Sequence, residues 1–295
     1  MDNTRGSLFM ILAMAAFAVE DMFIKAASVN MPTGLVLALF GLGGTLLFML
    51  LTKQRGEQII HPALLSKPIL LRALSEITGR LFYTLAITLT PLSSASAILQ
   101  ATPLVVVMGA ALLFGEKVGF KRWLAILVGF VGVLMIIRPG LEGFTPASIF
   151  AVIGTLGFAG RDLATRAAPP VLSNMQLGVY GFFVLIPTGF ALLIYSGEAI
   201  SFDPGASVQI LGSIVFGVIA YNALTIAMRT GDVSVVTPFR YTRLIFALIL
   251  GIFVFGERPD LMTLMGGVLI VVSGGYTLLR NRRIIRSAAQ AKKAH

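Results

Sequence analysis

The chain has 295 residues, of which 57% are hydrophobic and only 12% are charged, and its mean hydropathy is +0.91. Soluble domains carry about 25% charged residues, and a soluble fold of this length could not bury so much apolar surface, so the composition predicts a membrane protein. There is no cysteine, and the two histidines are His61 and His295. This excludes disulfides and thiolate metal sites, argues against a histidine-based metal enzyme, and predicts no cofactor.

Ten helices are predicted in chain order from the apolar runs and the turn residues between them. Five stretches contain no Asp, Glu, Lys or Arg: 33–52, 81–115, 167–197, 204–228 and 261–279. A spanning helix needs about 20 apolar residues, so the two longest stretches each contain two helix ends and a turn. The predicted helices are 6–28, 33–52, 69–89, 92–114, 121–138, 146–168, 173–196, 207–229, 233–255 and 260–280. The predicted fold class is therefore an all-α membrane protein.

The positions of the basic residues predict the orientation of these helices. Cytoplasmic loops of membrane proteins are enriched in Lys and Arg. With the N-terminus inside, sixteen basic residues, among them Arg72, fall in inner loops and tails, and only Lys25, Arg138 and Arg258 fall outside. We therefore expect both termini in the cytoplasm. The net charge of +10 is then explained by topology and anionic lipid, and no nucleic-acid partner is expected.

The sequence repeats itself after 141 residues. Two pairs of segments carry the match: Phe17-Ala18, Asp21 and Lys25-Ala26-Ala27 with Phe158-Ala159, Asp162 and Arg166-Ala167-Ala168; and Phe114-Gly115-Glu116-Lys117 with Phe255-Gly256-Glu257-Arg258. Each copy contains five helices. Because five is odd, the second copy must be inverted in the membrane, as in many transporters. We predict a first repeat at 1–140, a second at 141–282 and a basic cytoplasmic tail at 283–295.

The chain has two five-helix units, and the fourth helix of each ends in Phe-Gly-Glu-Lys/Arg. In this it resembles the EamA-type drug/metabolite transporter superfamily. The resemblance covers about residues 1–282, and within the superfamily the chain is most similar to the ten-helix YddG-type amino-acid exporters. The resemblance implies export of amino acids or related metabolites across the inner membrane without ATP. In agreement, the chain contains no Gly-x-x-x-x-Gly-Lys-Ser/Thr loop.

Charged residues inside the predicted helices are candidates for a transport path. Each costs roughly 2.5–3.5 kcal/mol on insertion scales, so it must be paired or face water. They either form internal salt bridges that fix packing or line a polar pathway. Glu76, Arg80 and Tyr83 share one face of the third helix, where Glu76 and Arg80 can pair and Tyr83 either lines a cavity or belongs to an interfacial aromatic belt. Further charges that we expect at membrane depth are Glu20 and Asp21 in helix 1, Arg161 and Asp162 in helix 6, and Arg240 and Arg243 in helix 9.

Helix 9 contains Pro238 just before Arg240 and Arg243, and a proline invites a kink. Either arginine could bind a substrate carboxylate or neutralise Asp21 or Asp162, and we expect one of them in each role. The charged members of the candidate substrate-binding set are Asp21, Glu76, Arg80, Asp162, Arg240 and Arg243, and Tyr83 and several further neutral groups complete it. These are Gln100 in helix 4 and Tyr221 and Asn222 in helix 8, which otherwise form interhelical hydrogen bonds, with Phe17 and Phe158 as an apolar wall.

Three classes of function can be compared with this pattern: a membrane enzyme, a scaffold or receptor, and a secondary transporter. A membrane enzyme acting on a lipid-linked substrate would need a catalytic constellation, and the sequence contains no metal motif or nucleophile elbow. A scaffold or receptor would not need inverted halves. The favoured hypothesis is a secondary transporter that exports amino acids or related metabolites by alternating access, and the candidate residues suit either hydrophobic and aromatic side chains or a broad range of substrates. Its partners are a small-molecule substrate and the lipid bilayer, as a monomer or weak homodimer. We expect helices 1, 3, 4, 6, 8 and 9 around a central cavity, with helices 5 and 10 at the periphery.

Overall fold

The computed structural model of the chain describes residues 2–89, 98–137, 146–201, 203–255, 261–262, 264–273 and 276. Within these residues the secondary structure is entirely helical. The second Phe-Gly-Glu-basic block beyond Phe255 and the predicted tail 283–295 lie outside the described residues. The long helices are α1 Asn3–Ala27, α2 Thr33–Gln54, α3 Lys67–Leu89, α4 Thr102–Phe114, α5 Phe120–Ile137, α6 Ser148–Arg166, α7 Asn174–Ser196, α8 Ser207–Thr230, α9 Thr242–Phe255 and α10 Leu264–Ser273.

Three of the predicted helices are interrupted within the described residues. The predicted fourth helix is interrupted by a turn at Gln100 and Ala101 before α4. Helix α7 consists of Asn174–Phe183 and Leu185–Ser196 on either side of Val184. The predicted ninth helix begins as a short α-helix, Val233–Val236, followed by a 3-10 turn, Thr237–Tyr241. We call these residues the 233–241 segment. Pro238 has no backbone N–H to continue an α-helical ladder, which explains why regular α-helix resumes only at α9.

The two halves of the chain pack against each other in equivalent pairs. Helix α1 of the first repeat lies along α8 of the second, and α3 of the first lies along α6 of the second. Under the repeat, α1 corresponds to α6 and α3 to α8, so these two pairs are counterparts. Helices α2 and α7, which also correspond, pack on one another. The molecule is therefore built around a pseudo-two-fold relation between its repeats.

Corresponding helices run in opposite directions. Asn3, at the start of α1, exchanges hydrogen bonds with Asp232, just after the end of α8. Arg166, at the end of α6, donates to the carbonyl oxygens of Met228 and Arg229 at the same end of α8. The start of α1 and the end of its counterpart α6 thus lie on the same side of the molecule, which we call the N-terminal side. The second repeat is inverted relative to the first.

The outer surface fits a lipid environment. Among the described residues, four stretches are long and apolar enough to cross a membrane by length and composition, namely Asn3–Ile24, Thr33–Gln54, Asn174–Ser196 and Pro204–Thr230. Large apolar side chains such as Leu46, Leu112 and Ile194 are exposed. Exposed apolar patches of this extent are not tolerated by soluble monomers, so this protein is an integral membrane protein.

Helices α5 and α10 pack against one another at one edge of the bundle. Val133 and Ile270 share a small apolar cluster with Tyr241, and the Ser273 hydroxyl donates to the carbonyl oxygen of Ala125. The other faces of both helices expose apolar side chains, including Val131 on α5 and several on α10. Within the described residues, both helices thus have an exposed apolar side and pack next to Tyr241 of the 233–241 segment.

Substitution of Gly157 should loosen the contact between α3 and α6. A Cβ on Gly157 would lie 2.4 Å from the backbone nitrogen of Gly79 and 2.7 Å from its Cα, so Gly157→Ala should cost about 1–3 kcal/mol by overpacking. Apart from its own helix, no atom of the described residues lies within 4 Å of such a Cβ on Gly267 in α10, and Gly267→Ala should be neutral or stabilising because alanine favours helix. Thermal unfolding in detergent measures both, and an equal loss in the two variants would contradict the packing argument.

The predicted orientation can be tested because the natural chain has no cysteine. Gln58 lies exposed in the loop between α2 and α3 on the N-terminal side, and Glu198 lies exposed after α7 on the opposite side. In intact cells, an impermeant maleimide should label Glu198→Cys but not Gln58→Cys, and permeabilised cells should show labelling of both. The reverse pattern would place both termini outside.

Candidate substrate pathway

A continuous series of charged side chains crosses the contact between the two repeats. On α3, Arg80 Nε lies 3.8 Å from Glu76 Oε1, one helical turn earlier. On α6, Arg161 lies 3.4 Å from the Glu76 carboxylate and 2.9 Å from that of Asp162. Arg240, in the 233–241 segment, donates to the other carboxylate oxygen of Asp162. All but Arg80 are buried, so alternating charges compensate each other where unpaired ions would be very costly.

Tyr221 on α8 connects this series to a further buried arginine, Arg72. The Tyr221 hydroxyl donates to Glu76 at 2.9 Å and accepts from Arg72 at 2.8 Å. The Arg72 guanidinium also donates to the Thr165 hydroxyl and to the carbonyl oxygen of Leu177. Three helices, α6, α7 and α8, are thereby joined to the first part of α3.

The position of Arg72 differs from the prediction, which places this residue among the basic residues of the cytoplasmic loops. It lies five residues into α3 and is only 2% exposed. The signal in the sequence is its spacing: Arg72, Glu76 and Arg80 occupy successive turns of one helix face. Arg161 and Glu20 were recognised as intramembrane charges but were left out of the candidate site, and the structure places both in the charged series.

A second ion pair, between Asp21 and Arg243, is more exposed than the charged series. Arg243 donates from Nε to Asp21 Oδ2 at 3.0 Å. The Asp21 side chain is 50% exposed and that of Arg243 is 23% exposed. The Arg243 guanidinium lies 5.1 Å from the ring centre of Phe17. Both Arg240 and Arg243 thus contact an aspartate, whereas the sequence predicted that only one of them would be neutralised.

Aromatic side chains lie close to these charges. Tyr83 packs edge-on against Phe158, with ring centres 6.0 Å apart, and it interacts electrostatically with Arg243. The Arg80 and Arg161 guanidiniums lie 5.8 and 5.1 Å from the Phe158 ring centre. Of the two alternatives for Tyr83, these contacts favour a position inside the bundle over an interfacial belt.

Two predicted site residues remain apart from the ion pairs. Gln100 is buried in the turn before α4. Asn222 is half-buried on α8, and its side-chain oxygen has no hydrogen-bond partner among the described residues. The structure therefore brings together Phe17, Asp21, Glu76, Arg80, Tyr83, Phe158, Asp162, Tyr221, Arg240 and Arg243 on helices α1, α3, α6 and α8 and the start of the ninth predicted helix.

Polar contacts close the bundle on the N-terminal side. Arg229, at the end of α8, donates to the carbonyl oxygen of Leu172 and to the side-chain oxygen of Asn174, both at 2.8 Å. Glu116, after α4, accepts from the backbone N–H groups of Val233 and Ser234, each at 3.0 Å. The Glu116 bonds join the two repeats, whereas the Arg229 bonds join two parts of the second repeat on the same side of the molecule.

Inverted halves that meet at a chain of paired charges define a class of protein. Charges at membrane depth are costly and mark substrate or ion paths, and inverted repeats with a site at their contact characterise secondary transporters. The fold and the site are those of a membrane transporter. The chain belongs to the EamA-like transporter family, whose model matches residues 4–138 and 145–278.

Individual relatives agree with this assignment. The chain is 29% identical to the pseudopaline exporter CntI of Pseudomonas aeruginosa (strain UCBPP-PA14), over 91% of this chain and 94% of that protein. It is 27% identical to a riboflavin transporter of Vibrio cholerae, over 92% of each chain, and 27% identical to an S-adenosylmethionine uptake transporter of Rickettsia felis, over 68% of each. These are transporters of small metabolites and not enzymes, which sets aside the membrane-enzyme alternative.

One solved structure, titled only as a crystal structure of a protein, has the same fold. Its TM-score is 0.82, it is 17% identical in sequence, and the alignment covers 95% of this chain and 99% of that chain. At this identity the likeness concerns the fold alone.

Removal of Arg240 should destabilise the protein because Asp162 would lose one of its two cationic partners. Breaking a buried pair typically costs about 3–5 kcal/mol, so Arg240→Ala should lower the free energy of unfolding by that order. A second change, Asp162→Asn, should recover part of the loss because it removes the stranded charge. Arg55→Ala in the exposed loop is the control and should lie within about 0.5 kcal/mol of wild type. Unchanged stability of Arg240→Ala in chemical denaturation would contradict the role of this pair.

Proposed function

We propose that this protein exports amino acids or closely related zwitterionic metabolites from the cytoplasm by alternating access of its two repeats. The observation that carries the proposal is the partly exposed Asp21–Arg243 pair at the contact between the repeats. It places one negative and one positive group side by side where a small ligand can reach them. A zwitterion presents the same two charges in complementary positions.

Exchange of ion pairs explains how such a substrate could bind inside a membrane protein. Entering a low-dielectric site costs several kcal/mol for each unpaired charge. If the substrate carboxylate takes Arg243 and its ammonium group takes Asp21, one internal ion pair is replaced by two new ones and no charge is left alone. Arginine suits the first role because its planar fork of donors binds a carboxylate with two parallel hydrogen bonds.

The surroundings of this pair support a preference for hydrophobic or aromatic side chains. Phe17 stacks under Arg243, and Phe158 and Tyr83 form an aromatic pair nearby. Aromatic faces pack favourably against apolar and aromatic groups. The mixture of charges and rings is equally suited to a range of amino acids, so breadth of specificity is part of the proposal.

The relatives support the substrate class in general terms. The Pseudomonas aeruginosa relative, which aligns over 91% of this chain, is named as an exporter of pseudopaline. The Rickettsia felis relative is named as an uptake transporter of S-adenosylmethionine, a derivative of the amino acid methionine. The YddG-type resemblance favours export of amino acids. The buried, neutralised Arg240–Asp162 contact then serves to hold the 233–241 segment against α6, whereas Arg243 is the arginine that changes partner.

Alternating access would require the closed N-terminal side to open. The contacts of Glu116 with Val233 and Ser234 and of Asn3 with Asp232 join the two repeats, and each is a hydrogen bond that water can replace at modest cost. We propose that they break when the repeats rock about the charged series, which then admits substrate from the cytoplasm.

Replacement of Arg243 should separate transport from stability. Its pair is partly exposed, so Arg243→Ala should fold with close to wild-type stability. It should nevertheless lose about tenfold or more in amino-acid transport, because a charge-assisted hydrogen bond contributes about 1.5–3 kcal/mol. Counterflow of radiolabelled phenylalanine in proteoliposomes measures the rate, with Arg55→Ala as a matched control in an exposed loop.

Two results would contradict the proposal. If Arg243→Ala folds and carries zwitterionic amino acids at the wild-type rate, the carboxylate assignment is wrong. If uncharged amino-acid analogues compete as well as the amino acids themselves, recognition of charge is wrong, and the path is a broad, mostly apolar one.

A further inference from the structure

Glu20 is a buried carboxylate without a hydrogen bond. It lies on α1, its side chain is 0% exposed, and neither carboxylate oxygen has a hydrogen-bond partner among the described residues. Its nearest cation is Arg80, with Nη2 3.6 Å from Oε1. This distance exceeds that of a charge-assisted hydrogen bond, which is about 2.7–2.9 Å.

The other three intramembrane carboxylates that the structure describes are better compensated. Glu76 accepts from the Tyr221 hydroxyl and from Arg161. Asp162 accepts from two arginines, and Asp21 accepts from Arg243. Glu20 shares Arg80 with Glu76, which lies at a similar distance from the same guanidinium. Of these four carboxylates, Glu20 is therefore the one whose negative charge is least stabilised by hydrogen-bond donors and cations.

The charges that face Glu20 come from three elements. Asp21 follows it on α1, Arg80 and Glu76 face it from α3, and Arg243 faces it from α9. On α8, Gly217 lies against Glu20 and carries no charge; a built Cβ there would lie 3.6 Å from the Glu20 carboxyl carbon. The two carboxylates and two guanidiniums around Glu20 together carry no net charge. An ionised Glu20 therefore leaves one negative charge, which one bound cation neutralises, whereas a cation bound beside a protonated Glu20 leaves an excess positive charge.

We propose that Glu20 is a proton-binding site, and that its protonation and the binding of the substrate ammonium group at the adjacent Asp21 exclude each other, so that export is coupled to proton entry. The proposal rests on the proposed function, because it takes the ammonium group of a zwitterionic substrate as the cation bound at Asp21. A buried carboxylate that lacks donors is stabilised by a proton or by a nearby cation. When both are present, the site carries an uncompensated positive charge, and the cost of that charge is the source of the coupling.

One cycle moves one proton against one substrate. On the outer side, the substrate leaves, and a proton from water forms an O–H bond with Glu20. After the repeats rock, the ammonium group of a new substrate approaches from the cytoplasm, and the O–H bond breaks, releasing the proton to cytoplasmic water. Arg80 is 16% exposed and adjacent to Glu20, so the carboxylate lies next to a group that solvent reaches.

Infrared difference spectroscopy tests the site without any substrate. Acidification of the wild-type protein in detergent should produce a carboxylic-acid C=O band at the higher frequency typical of a carboxyl shielded from water. The band should be absent from Glu20→Gln and present in Glu198→Gln, which changes an exposed carboxylate on the loop after α7. Identical spectra for wild type and Glu20→Gln would overturn the proton site.

Transport tests the coupling. With the membrane potential clamped and one proton exchanged per substrate, a gradient of about one pH unit should sustain about a tenfold accumulation of phenylalanine by the wild-type protein. Glu20→Gln mimics the protonated state and should not accumulate substrate at all, whereas Glu198→Gln should behave as wild type. Accumulation by Glu20→Gln equal to wild type, or no response of the wild type to the gradient, would overturn the coupling.

The two experiments separate failure of this inference from failure of the proposed function. If the infrared band depends on Glu20 and no amino acid moves through the wild-type protein, the proton site stands and the substrate assignment falls. If Glu20→Gln does not fold, the test is to measure how many protons the wild-type protein releases into a weakly buffered solution when phenylalanine binds. About one proton released per phenylalanine bound supports the site, and no release overturns it.

Discussion

The need to compensate charges inside a membrane governs this structure. Within the bundle, Glu76, Asp162, Arg161 and Arg240 have almost no exposed surface, and each would be prohibitively costly alone. They are tolerated because each contacts an opposite charge from another element: Glu76 contacts Arg161, and Asp162 contacts Arg240. Close approach of α3 and α6, with Gly79 against Gly157, accompanies the first contact, and the irregular 233–241 segment carries the arginine of the second. The same ion pairs that hold the repeats together therefore also form the polar path between them.

The pseudo-symmetry of the fold is broken where the chemistry lies. Under the 141-residue repeat, Asp21 corresponds to Asp162 and Glu20 corresponds to Arg161. The aspartates keep their type and both contact arginines of the ninth predicted helix, one pair buried and the other half-exposed. The other position reverses its charge between repeats. An inverted fold provides two equivalent conformations by symmetry, and these differences decide which groups are locked and which are free to exchange partners.

The fold and the family establish a transporter of small metabolites, but substrate identity depends on the site, because a single fold serves many functions. Relatives of similar identity are named for pseudopaline, S-adenosylmethionine and riboflavin. The inference toward amino acids therefore depends on the exposed Asp21–Arg243 pair and its aromatic neighbours. Glu20 adds a reason for coupling that is independent of substrate shape, since its burial without donors is a property of the protein alone.

The sequence by itself determined the membrane class, the order of the helices, the inverted repeat and most of the charged site, because apolar periodicity and costly charges are local signals. It also identified the pairing of Glu76 with Arg80, which depends only on helical spacing. Only the tertiary structure decided the rest. It placed Arg72 in the interior, gave both Arg240 and Arg243 an aspartate, and left Glu20 without a hydrogen bond. These features depend on contacts between helices that are distant in the sequence. The position of a residue along its own helix does not specify which side chain of another helix it will contact.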